Sequence, residues 1–379
     1  MKVALLSDCY LPRLGGIEVQ VHDLAQALRA AGHEVEVFTA TTGPDGERHG
    51  ACLLEDDVPV HRMAIPLPGG VPVNPFAPPE VRRRLAAGGF DVAHVHMGVV
   101  SPFATDMVGV ALGIGLPTAV TWHCVIDRSA PAFRLLGRAG RWAARGAALS
   151  AVSTMAAARI RLVAGRDVPV GVLGNGIDAA AWARPADLAA RAPGASVRVV
   201  SALRLTRRKR PLAALQVLRE ARRLLDPGVA LSATLLGEGP QRPALERYLA
   251  RHDMGWVSMP GRVSREELRR LHWDSDLYLT TTRLEAFGIA ALEARTAGLP
   301  VVARRGTGAD DFVEDGVAGL LADDDEGLAS ALARLAGDPA LRARIAEHNR
   351  TQAPEQDWPG VVAATLGEYD RAMRAGGPR

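Results

Sequence analysis

An α/β chain of two Rossmann-like, doubly wound domains is predicted by three features of the sequence. Short apolar, β-branched runs alternate with amphipathic helical stretches from end to end, the pattern of parallel β-α-β units. At 379 residues the chain is long enough to bury two full cores. Between Arg184 and Ser196 the periodicity lapses into an Ala/Pro/Gly-rich stretch, after which the alternation restarts. The expected domains are therefore 1–190 and 191–357, with a last helix at about 358–374 packing back on the first. Two such domains would face a central cleft, with ligands held beyond the carboxyl ends of both sheets.

In the first domain, Lys2–Ser7 reads as a strand, and a loop with Gly15 and Gly16 follows. Ile17, Val21, Leu24 and Leu28 then recur at helical spacing until Gly32, before the strand Val35–Phe38. Further strands are expected at Val92–Val95, Thr118–Thr121 and Ala148–Val152. Six prolines and two glycines make Pro66–Pro79 a surface loop. The second domain runs strand Val197–Leu203, helix Leu212–Leu225, strand Ala230–Leu236, helix Pro240–Ala250 and strand Leu277–Thr281. It ends with the helix Gly288–Ala297 and the strand Pro300–Ala303.

The composition, 48% hydrophobic and 23% charged, is that of a soluble globular protein. With 45 basic and 42 acidic side chains the net charge is only +3, which argues against a nucleic-acid partner. Cys9, Cys52 and Cys124 show no zinc or redox spacing, so reduced thiols in a cytoplasmic protein are expected. No run approaches the ~18 apolar residues of a membrane span. Peripheral contact with a membrane surface stays open.

The strongest chemical signal is Glu285-Ala-Phe-Gly-Ile-Ala-Ala-Leu-Glu293, just after a strand. If helical throughout, its two carboxylates stand about 12 Å apart. Glycosidase pairs sit at roughly 5–9.5 Å, so the spacing suits the two ends of an elongated ligand better than hydrolysis. The amides of Phe287, Gly288 and Ile289 open the helix and offer a phosphate seat. The plainer reading is one acid favouring the helix dipole and one solvated acid. The second signal is Arg204-Leu-Thr-Arg-Arg-Lys209-Arg-Pro, at the carboxyl end of the second domain's first strand. Cations there can meet a diphosphate and stabilise the charge that builds as a sugar departs. Arg204 and Lys209 are read in that way, and Arg207, Arg208 and Arg210 as a basic, solvated turn.

With Gly15-Gly16-Ile-Glu18 and Thr121-Trp-His123, these segments resemble the family 4 retaining glycosyltransferases of GT-B fold, over nearly the whole chain and in the family's order. The resemblance implies transfer of a hexosyl group, with retention, from a nucleoside-diphosphate sugar to a hydroxyl acceptor. A UDP-sugar is favoured, GDP-mannose is possible, and neither a metal nor another cofactor is expected. The acceptor is a small molecule or a lipid, contacted by the loops Tyr10–Gly16, Pro66–Pro79 and His123–Ala132. By the same resemblance Glu293 binds the ribose, Glu285 the sugar hydroxyls, and Arg204 and Lys209 the diphosphate. Gly15 and Gly16 let the backbone approach the phosphate, Arg262 and Val263 lie beside the base, and His123 touches the sugar near the reacting carbon.

Two segments depart from the family pattern. Gly306-Thr-Gly308-Ala-Asp-Asp311 stands where a Gly-Gly pair and a Glu are usual, which puts a donor contact from Asp311 in doubt. Asp323-Asp-Asp325 mimics a metal-binding motif, but it precedes the helical stretch Gly327–Leu335 and reads as an N-cap cluster. His94 and His96 are read as structural. Asp8, Glu18 and Asp127 are the acids near the first domain's loops, and none can be placed as a nucleophile. A sugar-nucleotide epimerase of the same fold and a non-catalytic sugar-nucleotide-binding protein are the rival readings. A nicotinamide dehydrogenase is disfavoured, because Leu14-Gly-Gly-Ile lacks the dinucleotide glycine pattern.

Overall fold

In the computed structural model the described residues are 1–13, 15–67, 71–126, 137–186, 188 and 196–376. Leu14, Asp127 and parts of the segments Pro66–Pro79, His123–Ala132 and Arg184–Ser196 lie outside them. The chain divides into two units, one formed by Met1–Gly176 with the residues from Gln356 onward, the other by Ile177–Glu355.

The first unit holds an eight-stranded sheet of β1 (Lys2–Ser7), β2 (Glu34–Thr39), β3 (Ala51–Glu55), β4 (Val58–Arg62), β5 (Val92–Met97), β6 (Thr118–Trp122), β7 (Ala148–Ala151) and β8 (Val170–Val172). Its order is β3-β4-β2-β1-β5-β6-β7-β8, parallel except for the antiparallel pair β3–β4. Alternation along β1 feeds two cores. Val3 and Leu5 face the helices Gly16–Ala30 and Trp358–Ala375, whereas Ala4 and Leu6 join Phe103, Met107 and Ile160 on the other face. Both faces are covered, so the strands are apolar without a polar side.

The second unit holds β9 (Ser196–Ala202), β10 (Ala230–Leu236), β11 (Val257–Gly261), β12 (Leu277–Leu279), β13 (Val301–Arg304) and β14 (Gly319–Ala322). They form one parallel sheet in the order β11-β10-β9-β12-β13-β14. The order reverses between β9 and β12, and a crevice at such a reversal is where open α/β sheets bind ligands.

Several boundaries differ from the sequence reading. The units divide at Gly176, ahead of the expected 190. The short helix Ala179–Trp182 belongs to the second unit, where Trp273 Nε1 donates to Trp182 O at 3.0 Å and Arg269 to Ala181 O at 3.3 Å. The proline-rich stretch runs into the helix Ala77–Ala87, with Pro78 and Pro79 in its first turn, where a missing N–H costs nothing. The helix expected from Gly288 spans Ile289–Thr296, with Gly288 as its N-cap at φ 98°.

Candidate active site

In the second unit the segments after β9 and β12 meet at the reversal of strand order. Arg207–Lys209 form one 3-10 turn, and Arg210 (φ 56°, ψ 47°) caps the helix Pro211–Leu224. Three backbone carbonyls stitch this turn to the strand end. Arg210 Nη1 donates to Thr281 O at 2.9 Å, Thr281 Oγ1 to Arg210 O at 3.1 Å and Thr282 Oγ1 to Lys209 O at 3.4 Å. The result places Lys209 Nζ 2.5 Å from Glu285 Oε2, each side chain about one-fifth exposed. Sequence reasoning named these two residues separately, and the fold pairs them. Arg204, just past β9, stays exposed, with no ion pair to any described residue.

Arg210 corrects the reading of a solvated basic turn. Its guanidinium is bound by both oxygens of Asp325 at 2.8 and 2.5 Å, and Arg304 adds a third contact at 3.3 Å. The Arg210 hydrogen bonds hold the Asp325 carboxyl below the usual range. The acidic run is likewise only partly a cap. Asp324 accepts from Gly327 N and starts the helix Asp325–Gly337, whereas Asp325 anchors the Lys209 turn.

Glu285 lies outside the helix and Glu293 inside it. The helix opens at Ile289 with no side-chain cap, and Phe287 is buried against Phe312 at 5.3 Å between ring centroids. A helix start without a cap leaves backbone N–H groups available to an anion. Gly308, in the loop after β13, supports this segment, since its N–H donates to Glu285 O at 2.9 Å. A Cβ there would fall 2.3 Å from Ala286 O and 2.5 Å from Phe287 Cα, so only glycine allows the two loops to touch. Arg262 and Val263 follow β11 at the carboxyl edge of the same sheet, Arg262 exposed.

In the first unit His123 follows β6 and both of its ring nitrogens have protein partners. Nε2 lies 2.9 Å from His96 Nδ1, and Nδ1 lies 3.2 Å from Asn175 Oδ1. Burial pushes His123 down to about 4 and His94 to about 3, and takes His96 well below the usual histidine range. Asn175 sits on the loop after β8, pinned to the helix Gly16–Ala30 by Gln20, which bonds both N and O of Gly176 at 2.8 and 2.9 Å. Gly15 is the N-cap of that helix, in extended conformation, and Gly16 its first residue. The Glu18 carboxylate lies against Gly15. Asp8 faces inward, accepting from Phe103 N at 3.0 Å and Ala104 N at 3.3 Å.

The family model for Glycosyltransferase Family 4 matches residues 14–181, and that for Glycosyl transferases group 1 matches residues 190–352. A D-inositol 3-phosphate glycosyltransferase of Nocardioides sp. is 31% identical, covering 94% of this chain and 85% of its own length. The chain belongs to glycosyltransferase family 4. A GDP-mannose-dependent alpha-mannosyltransferase of Mycobacterium tuberculosis is 25% identical over 98% of this chain and 96% of its own. The solved structure of Anabaena HepE (Alr3699) in complex with UDP aligns at a TM-score of 0.74 and 22% identity, covering 97% of this chain and 100% of that one. The fold of this family 4 glycosyltransferase is therefore GT-B, two parallel-sheet Rossmann-like domains.

Four features of the transferase escaped the sequence reading: Asn175, the contact of His96 with His123, the Asp325 clamp, and Gly308. Asn175 carries a local signal, a Gly-Asn-Gly turn directly after a strand. The others depend on partners far away in sequence. Among the described residues no helix is long and apolar enough to cross a membrane.

Proposed function

We propose that this transferase moves a hexosyl group from a nucleoside-diphosphate sugar to a hydroxyl acceptor with retention, by a metal-independent front-face reaction. The observation that carries the reading is the Lys209–Glu285 pair, 2.5 Å apart beside the uncapped helix start at Ile289. A diphosphate seated there exchanges Lys209 from carboxylate to phosphate and frees Glu285 for sugar hydroxyls. Arg204, exposed and with no ion pair among the described residues, adds a second cation, and Glu293, within the helix, takes the ribose. Arg262 and Val263 border the base. Positive charge and helix amides fixed before reaction stabilise the departing diphosphate without reorganisation.

In the front-face step the acceptor oxygen bonds the anomeric carbon as the bond to the diphosphate breaks. A diphosphate oxygen takes the acceptor's proton. Two of the acids near the first unit's loops have protein partners, Asp8 the Phe103 and Ala104 amides and Glu18 the Arg13 guanidinium at 3.4 Å, which supports a reaction with no carboxylate nucleophile. Gly15 and Gly16 give the phosphate close backbone approach, and His123, whose ring nitrogens are both held within the first unit, borders the sugar with its ring edge and main chain. A UDP-sugar is the favoured donor and GDP-mannose the second. The inositol phosphate relative makes a cyclitol the first acceptor class to try.

The test is a thermal-shift series with UDP, GDP, ADP and dTDP, followed by nucleoside diphosphate release from the matching sugar donor. One nucleotide should stabilise the protein, by about 2.7 kcal/mol at a hundredfold excess over its Kd. Release should accelerate when an acceptor is added. No stabilisation by any of the four would refute the donor site.

A further inference from the structure

We infer that His96 is a positioning residue for His123: its Nδ1–H donates to His123 Nε2 and so, with Asn175 on the other ring nitrogen, holds the tautomer and the orientation of that ring. The inference deepens the reading of His123 as the residue that orients the donor sugar and rests on it for its consequence, though not for its test.

The assignment follows from one end of a hydrogen-bonded chain. Gln20 bonds both backbone groups of Gly176, which fixes the neighbouring Asn175. With Asn175 Oδ1 facing His123 Nδ1 at 3.2 Å, that nitrogen carries the ring proton and Nε2 is left as an acceptor. The group 2.9 Å from Nε2 must then be a donor, and it is His96 Nδ1. His96 consequently has a bare Nε2, and this atom is buried without a hydrogen-bond partner among the described residues. His96 borders a cavity of about 20 Å³ lined also by His94, Thr121 and Asn175, enough for about one water.

His96 is itself held. Its ring lies 4.1 Å from that of His94, whose nitrogens bond Tyr369 OH at 3.0 Å and Thr121 Oγ1 at 2.7 Å. Orientation thus passes from the helix Trp358–Ala375 through His94 and His96 to His123. With its Nε2 lone pair engaged, His123 is a fixed neutral imidazole and not a general base. That suits a reaction in which a diphosphate oxygen takes the acceptor's proton. A ring turned out of this position would no longer present the same edge to the sugar.

The test uses the full chain labelled with ¹⁵N-histidine, and reads the tautomer of His123 from long-range ¹⁵N–¹H correlations. His96→Asn keeps a donor near the Nδ1 position, and His96→Asp has the same shape with acceptors only. Wild type and His96→Asn should both hold the His123 proton on Nδ1 alone, and His96→Asp should move it to Nε2 or protonate both nitrogens. If thermal melting shows that His96→Asp does not fold, His96→Ala takes its place, and a mixture of tautomers is expected, because the Asn175 amide alone can turn to meet either one. A proton on Nε2 in the wild type, or one unchanged tautomer in every variant, would overturn the inference. These results need no donor, so a protein that shows the expected tautomers yet answers no nucleotide would refute the donor site and leave His96 in place.

Discussion

Replacing Gly308 by alanine tests whether the loop after β13 sets the position of the segment that carries Glu285, the proposed donor contact. The added Cβ would lie 2.3 Å from Ala286 O, 2.5 Å from Phe287 Cα and 2.6 Å from Ala286 C. All three are backbone atoms, so no side-chain rotation relieves the contact. Overpacking of this kind costs about 1–3 kcal/mol. Ordinary contact requires a separation of about 1 Å more, and a displacement of that size at a reacting centre can cost about a hundredfold in rate. The displaced segment carries Glu285, whose carbonyl accepts the Gly308 N–H at 2.9 Å. Gly228→Ala in the same unit is the control, because its Cβ would meet nothing within 4 Å. Calorimetric melting gives the stability change, and nucleoside diphosphate release at saturating donor gives the turnover rate. Turnover and melting of Gly308→Ala equal to those of Gly228→Ala would refute the reasoning.

Further outcomes follow from the same geometry. Glu293→Ala should weaken donor affinity, about ten- to a hundredfold for one lost charged hydrogen bond, and leave turnover nearly intact. Glu285→Ala should mainly lower turnover, and equal small effects from both would return the two carboxylates to structural roles. Transfer should persist in excess EDTA, whereas loss of activity restored by Mg²⁺ or Mn²⁺ would remove the cationic-seat account. His94, His96, His123 and His272 are all more acidic folded than unfolded, because burial disfavours their charged forms. The unfolded chain therefore binds the extra protons, and stability present above about pH 6.5 should fall as pH drops through the folded values. Asp8, raised by burial to about 6, and Glu368, also raised by burial, oppose this by adding stability as pH falls, two acids against the four buried histidines. Urea midpoints at about pH 7.5 and about pH 5 measure the balance, and an unchanged or higher midpoint at the lower pH contradicts it.

The parallel strands were legible because each is a short apolar run buried on both faces, a pattern that needs no knowledge of its neighbours. The hairpin β3–β4 was not read, because Leu54 is exposed and the strand lies at the sheet edge, with mixed polarity. Its turn residues, Asp56 and Asp57, both adopt positive φ, a combination typical of tight hairpins that an Asp-Asp pair hints at only weakly. Lys209 and Glu285 were legible by local context, as a cation and an acid at strand ends. Arg210 looked the same as Arg207 and Arg208, since its partner Asp325 lies 115 positions away. His94 and His96 could be placed on one face of a strand by their spacing, but nothing local says that His96 points at a histidine 27 residues on. Gly308 is invisible for a similar reason: a glycine required by close approach looks like any other until the approaching backbone is known.

The stereochemistry of transfer is the most direct measurement. With a donor of α-configuration, the product anomer can be assigned from its NMR coupling constant. Attack on the face the diphosphate leaves, with the charge held by Arg204, Lys209 and the helix start at Ile289, predicts an α-linked product. A β-linked product would contradict the front-face reaction and the site built for it.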